Sequence, residues 1–119
     1  MNERIYKFRM WNKEEKVMFL IGSNPNLTNY QQTIYELMQY TGLKDKNRKE
    51  IYEGDCFEIK SNSTEHKGNK IGIAWVIWND SELGWRLSDN RESGEYNIYW
   101  FAKNCEIIGN IYENPELLN

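Results

Sequence analysis

The sequence predicts a mostly β protein of antiparallel strands with minor helix. Two observations carry this. Apolar and polar residues alternate at period two over much of the chain, the signature of half-buried strands. Aromatic residues make up 14% of the 119 residues, with five Trp and eight Tyr, a composition that suits pleated surfaces.

The first strand is Ile5 to Trp11. Tyr6, Phe8 and Met10 share one face, assigned to the core. Lys7 and Arg9, with Ile5 and Trp11, share the other, assigned to the outside. Asn12 to Lys16 is a polar turn, and Val17 to Ile21 returns as a hairpin. Gly22 to Thr28 reads as a loop and Leu27–Tyr35 as a short helical or irregular piece. Leu37–Leu43 is a strand that leads into a polar tip, Asp45-Lys46-Asn47-Arg48. Gly54-Asp55 marks a turn in which Gly supplies backbone freedom and Asp accepts backbone hydrogen bonds.

Beyond that turn the pattern is strand after strand. Phe57 and Ile59 alternate. Ser61 to Asn69 is a polar loop. Ile71 to Trp78 is apolar on both faces and is assigned to a central position. Leu83, Trp85 and Leu87 alternate, then Tyr96, Ile98 and Trp100, and Cys105 to Ile111 closes the set. Five short strands after a Gly-Asp turn predict a small five-stranded barrel of the Src-homology-3-like kind. Asn114-Pro115 opens a last helical turn, with Asn as N-cap and Pro at the first helical position. The expected organisation is a β-rich N-terminal part, residues 1–53, and a small barrel, 54–119, in one compact unit. The expected core is Tyr6, Phe8, Met10, Phe57, Ile59, Ile73, Trp75, Leu83, Trp85, Leu87, Ile98 and Trp100.

Three segments, Leu37–Asp55, Ile107–Leu118 and Phe8-Arg9-Met10-Trp11, resemble the signatures of the YopX-like proteins, which are carried by phages and prophages of Gram-positive bacteria. The resemblance implies a phage-encoded accessory protein, in a family whose biochemical role is not established. The chain departs from the family pattern at Asn12, where relatives often carry Asp, and at Cys56, where an aliphatic residue is usual. It departs again at Arg48, where relatives usually place Gly, so Arg48 either adopts a positive φ or changes the turn.

Chemistry-bearing motifs are scarce. The single histidine, His66, lies in a polar loop away from either cysteine in sequence, and reads as a solvated loop residue. The carboxylates have no spacing that separates paired catalytic acids from a solvated sheet face. No phosphate-binding glycine loop or dinucleotide fingerprint is present. The expectation is therefore no catalytic residue, no cofactor and no metal.

The net charge of −3 and pI of about 5.2 count against a dedicated nucleic-acid binder. No apolar run reaches the roughly 20 residues that span a bilayer, and the first residues lack a signal-peptide core. The host cytoplasm is the expected compartment, with Cys56 and Cys105 reduced and placed on neighbouring strands. The function read from these features is a non-enzymatic module that binds a phage or host protein, with nucleic acid as the alternative partner. Self-association into a homo-oligomer is expected from free strand edges. The candidate binding residues are Arg9 and Trp11 on the outward face of the first strand, and Lys46 and Arg48 on the hairpin tip. Arg and Trp combine contact area with a polar handle, and the tip is the densest basic cluster in the chain.

Overall fold

A computed structural model describes residues 5–22, 34–91 and 94–119. Of these, 49% are in strands and 11% in helices, arranged as two antiparallel sheets, one of them a curled half-barrel. The first sheet has the order β2-β1-β3-β4, built from β1 (Phe8–Asn12), β2 (Val17–Gly22), β3 (Tyr35–Lys44) and β4 (Glu50–Tyr52). The second has the order β8-β7-β6-β5-β9, from β5 (Asp55–Lys60), β6 (Lys70–Asn79), β7 (Gly84–Asp89), β8 (Glu95–Tyr96) and β9 (Gly109–Asn110). A helix, α1 (Ile98–Asn104), lies between β8 and β9, and a 3-10 turn at Pro115–Leu118 ends the chain. The predicted helical segment at 27–35 falls largely outside the described residues; its last residue, Tyr35, opens β3.

The β1–β2 turn is held by Asn12, whose Oδ1 accepts from the backbone N–H of Glu14 and of Glu15, both at 2.9 Å. Gly54 links the two sheets. Its φ of +88° belongs to glycine, and a Cβ there would meet Tyr112, Ile111 and Met38 at 3.4–3.7 Å. Its N–H donates to the Val76 carbonyl at 2.9 Å, so the connection is stitched to the central strand. β5 pairs with both β6 and β9, which brings the first and last strands of the half-barrel together as expected. The core joins Phe57, Ile59, Ala74, Val76, Leu87, Ile98 and Phe101 with Ile51 from the first sheet, so both sheets share one interior.

Several expectations are corrected. The faces of β1 are reversed: Arg9 and Trp11 are buried, at 7% and 9% exposure, while Phe8 and Met10 are half-buried and Tyr6 is exposed. The strand predicted through Tyr96, Ile98 and Trp100 ends at Tyr96. After two strand residues, Asn97 caps α1 by accepting the Tyr99 N–H at 2.8 Å. Ile98, Phe101 and Ala102 then face inward at helical spacing, which turns Trp100 out to solvent. Leu83 is exposed because it sits in the β6–β7 turn at φ +52°, and Trp75 and Trp85 are half-buried. Asn114 and Pro115 open the last turn at the N-cap and first position as expected, but the Asn114 side chain makes no cap bond; its Oδ1 accepts from the Asn110 N–H at 3.1 Å. Cys105 terminates α1 and does not lie on a strand beside Cys56; both are free thiols.

Candidate functional site: a basic face between hairpin and helix

The tip of the β3–β4 hairpin is built around Asp45, a buried carboxylate. Oδ1 accepts from the N–H of Asn47 and of Lys49, each at 2.9 Å, and Oδ2 accepts from the N–H of Ile107 at 2.9 Å. Burial pushes the Asp45 carboxyl up, but these three donors and the Lys49 charge outweigh it and hold the group below the ordinary carboxylate value. The Lys46 N–H donates to the Cys105 carbonyl at 3.1 Å, and Asn47 Nδ2 donates to Glu106 at 2.8 Å. The tip is thus docked on the segment that follows α1.

Arg48 takes the positive φ that its position demands, at +68°. A left-handed conformation costs a non-glycine residue about 1–2 kcal/mol, and replacement by Gly gives back roughly half of the gain through unfolded-chain entropy. Arg48→Gly should therefore stabilise the fold by about 0.5–1 kcal/mol, read as a higher urea midpoint at constant slope. A lower midpoint would show that the Arg48 side chain holds the turn.

Docking places the basic tip beside the exposed side of α1. Lys44, Lys46, Arg48 and Lys103 line a groove of about 430 Å³ with Tyr99, Leu43, Ala102 and the buried Asp45. All four cations are exposed, and among the described residues none makes an ion pair. Tyr99 is 67% exposed. A second groove of about 330 Å³ adjoins it through Lys46 and is lined by Lys60, Trp100, Glu58 and Glu106. Trp100 is 56% exposed and packs edge-on against Phe101, with centroids at 5.0 Å and planes at 78°. Tyr99 and Trp100 thus leave two large rings exposed on consecutive residues of one helix.

The structure divides the four candidate residues. Lys46 and Arg48 line the basic groove; Arg9 and Trp11 do not. Arg9 is a buried cation between the sheets. Its Nη2 donates to Asp55 Oδ1 at 2.8 Å and to the Glu53 carbonyl at 3.0 Å, and its guanidinium lies 4.9 Å from the centre of the Tyr52 ring. Asp55 Oδ2 in turn accepts from the Tyr52 N–H at 2.7 Å. Trp11 packs on Tyr112, with centroids at 6.2 Å. Sequence reasoning missed Tyr99, Trp100 and Lys103 because it missed the helix that carries them. The Asn97 cap with Ile98, Phe101 and Ala102 was the signal available.

Cys56 is chemically quiet: burial, with Asp55 beside it, pushes its thiol up to about 12. His66 is exposed and lies 3.8 Å from Glu65. Among the described residues, no three His, Cys, Asp or Glu side chains gather to hold a metal, and no helix is long and apolar enough to cross a membrane.

The fold and this face define a small two-sheet β module with a half-barrel and an exposed basic, aromatic surface. The YopX protein family model matches residues 20–119, and the chain belongs to that family. The structure is similar to the crystal structure of protein EF1440 from Enterococcus faecalis, with a TM-score of 0.64 and 26% identity, covering 98% of this chain and 100% of that one. No curated protein matches the chain.

Proposed function

We propose that this YopX family member is a phage- or prophage-encoded accessory protein that acts in the host cytoplasm. It is a non-enzymatic module that holds a negatively charged macromolecule on the hairpin–helix face. One observation carries the reading: four cations without an ion pair among the described residues, Lys44, Lys46, Arg48 and Lys103, line one groove with the exposed Tyr99. The net charge of −3 is compatible with it, because attraction is set by local potential and Lys7, Arg9 and Arg86 are neutralised by Glu50, Asp55 and Glu82. The inert Cys56 thiol and the loop position of His66 suit a protein that binds without chemistry.

Photo-cross-linking in producing cells tests the reading. A photoreactive residue at position 99 should give a macromolecular adduct that disappears in the Lys46→Ala/Arg48→Ala background. The same residue at exposed position 83 should give none. Absence of an adduct at position 99 would overturn the proposal.

The edge of the first sheet away from β4 supports self-association. β2 is an edge strand of the first sheet, and its run Val17-Met18-Phe19-Leu20-Ile21 is apolar and mostly exposed, with Leu20 at 77%. An edge of this kind is a template for pairing with a second copy. Light scattering should give a mass above the 14.3 kDa of the single chain, and Leu20→Lys should return it to that value. A mass of one chain at every accessible concentration rejects self-association.

A further inference from the structure

We infer that the ligand of the hairpin–helix face is single-stranded nucleic acid, an inference that rests on the reading of that face as the contact surface for a polyanion. Tyr99 and Trp100 are consecutive residues of α1, so their side chains diverge by about 100° around the helix axis. Trp100 lines the second groove, Tyr99 lines the first and also a further one with Glu82, Arg86 and Glu95, and Lys46 lines both the first and the second. The two grooves thus share a cation, Lys46, and each holds one ring, with Lys44, Arg48 and Lys103 lining the Tyr99 groove and Lys60 the Trp100 groove.

A nucleic-acid strand has the complementary repeat: a flat base with a π-face, then a phosphate, then the next base. Bases stack on exposed aromatic rings without regard to sequence, and the cations follow the backbone. A duplex does not fit, since its bases already stack on one another and present only edges in the grooves. An acidic peptide matches the cations but leaves two large ring faces without partners of their own kind.

The surrounding acids set the strength. Glu58 and Glu106 line the Trp100 groove, with Glu106 held in place by Asn47; Asp45 lines the Tyr99 groove but is buried and spent on three backbone donors, and Glu82 and Glu95 line the further groove beside Tyr99, where Glu82 pairs with Arg86. The carboxylates oppose phosphate in the second groove, so the charge contribution comes mainly from the four cations of the first. With a slope of about −0.7 per phosphate neutralised on a single strand, four contacts give log affinity against log salt a slope of about −3.

The experiment is a fluorescence anisotropy titration of the full chain against three probes: a labelled oligothymidylate of about 12 nucleotides, a duplex of the same length and poly-glutamate. The oligothymidylate should bind most tightly. Tyr99→Ala and Trp100→Ala should each weaken it about tenfold with the salt slope unchanged. Lys46→Ala should reduce the slope by about 0.7. Both rings are exposed, so a thermal melt matching the parent certifies each variant as folded; should Trp100→Ala melt early, Tyr99→Ala carries the test alone.

The inference is overturned if the duplex or poly-glutamate binds as tightly as the single strand, or if removing the rings of folded variants changes nothing. Binding of poly-glutamate alone rejects nucleic acid and leaves the polyanion reading standing. No binding to any probe, together with no adduct at position 99, removes both.

Discussion

Arg9→Met should cost about 3–5 kcal/mol of stability at neutral pH, the range for breaking a buried ion pair by removing one partner. The methionine fills much of the space but strands the Asp55 carboxylate, which is nearly inaccessible and has lost its 2.8 Å partner. The loss should also depend on pH in a defined direction. Burial raises the Asp55 carboxyl above its ordinary 3.8, opposed first by Arg9. Without Arg9 the folded-state value moves higher still. A carboxyl raised in the folded state is penalised where it is ionised, so the penalty is full above the folded value and fades as pH falls through it. It is gone below the unfolded value. Urea titrations at descending pH should therefore show the Arg9→Met deficit shrinking towards pH about 4. A deficit under about 1 kcal/mol that is flat with pH would instead describe a surface residue. Adding Asp55→Leu should recover part of the loss but not all, because the Tyr52 N–H and the Glu53 carbonyl then lack their partners, at about 1–3 kcal/mol each.

Trp11→Ala should cost about 3–5 kcal/mol as well, by removing a large buried ring and leaving a cavity beside Tyr112. The hairpin–helix face should keep its affinity in a folded Trp11→Phe variant, since Trp11 does not line that groove. These two results would place Arg9 and Trp11 among the residues that hold the fold. A Trp11→Ala cost within about 0.5 kcal/mol would return it to the surface.

The β-rich architecture was legible where alternation was strong and one-sided. Phe57, Ile59, Ile73 and Leu87 are buried as their period indicates, and Arg48 occupies the strained turn position that the pattern around Asn47 requires. The reading failed where two patterns compete in a short window. In β1 both faces carry large apolar residues, and hydrophobicity alone assigns a cation to solvent. Its partner Asp55 lies 46 residues away in sequence, so the burial of Arg9 is a tertiary fact that no local pattern reveals. At Tyr96, Ile98 and Trp100, period two matches a strand, while Ile98, Phe101 and Ala102 match a helix of only 7 residues. The Asn97 cap and the packing of Ile98, Phe101 and Ala102 on the core decide for the helix. The basic tip was legible as a cluster, and its aromatic half was not, because it comes from that same helix.

The three backbone donors on Asp45 have a kinetic meaning. By tying the turn to itself and to Ile107, one carboxylate removes the hinge between the hairpin and the segment after α1. The cations of the tip and the rings of the helix are then carried on a single rigid mount. The proposed ligand would then have to order lysine and arginine side chains, at about 0.5–1.5 kcal/mol each, and no backbone. Under the proposed binding role, encounter and final complex should share one protein shape, so capture should proceed at the pace of charge-steered diffusion, and changes in affinity should appear in how long the ligand stays.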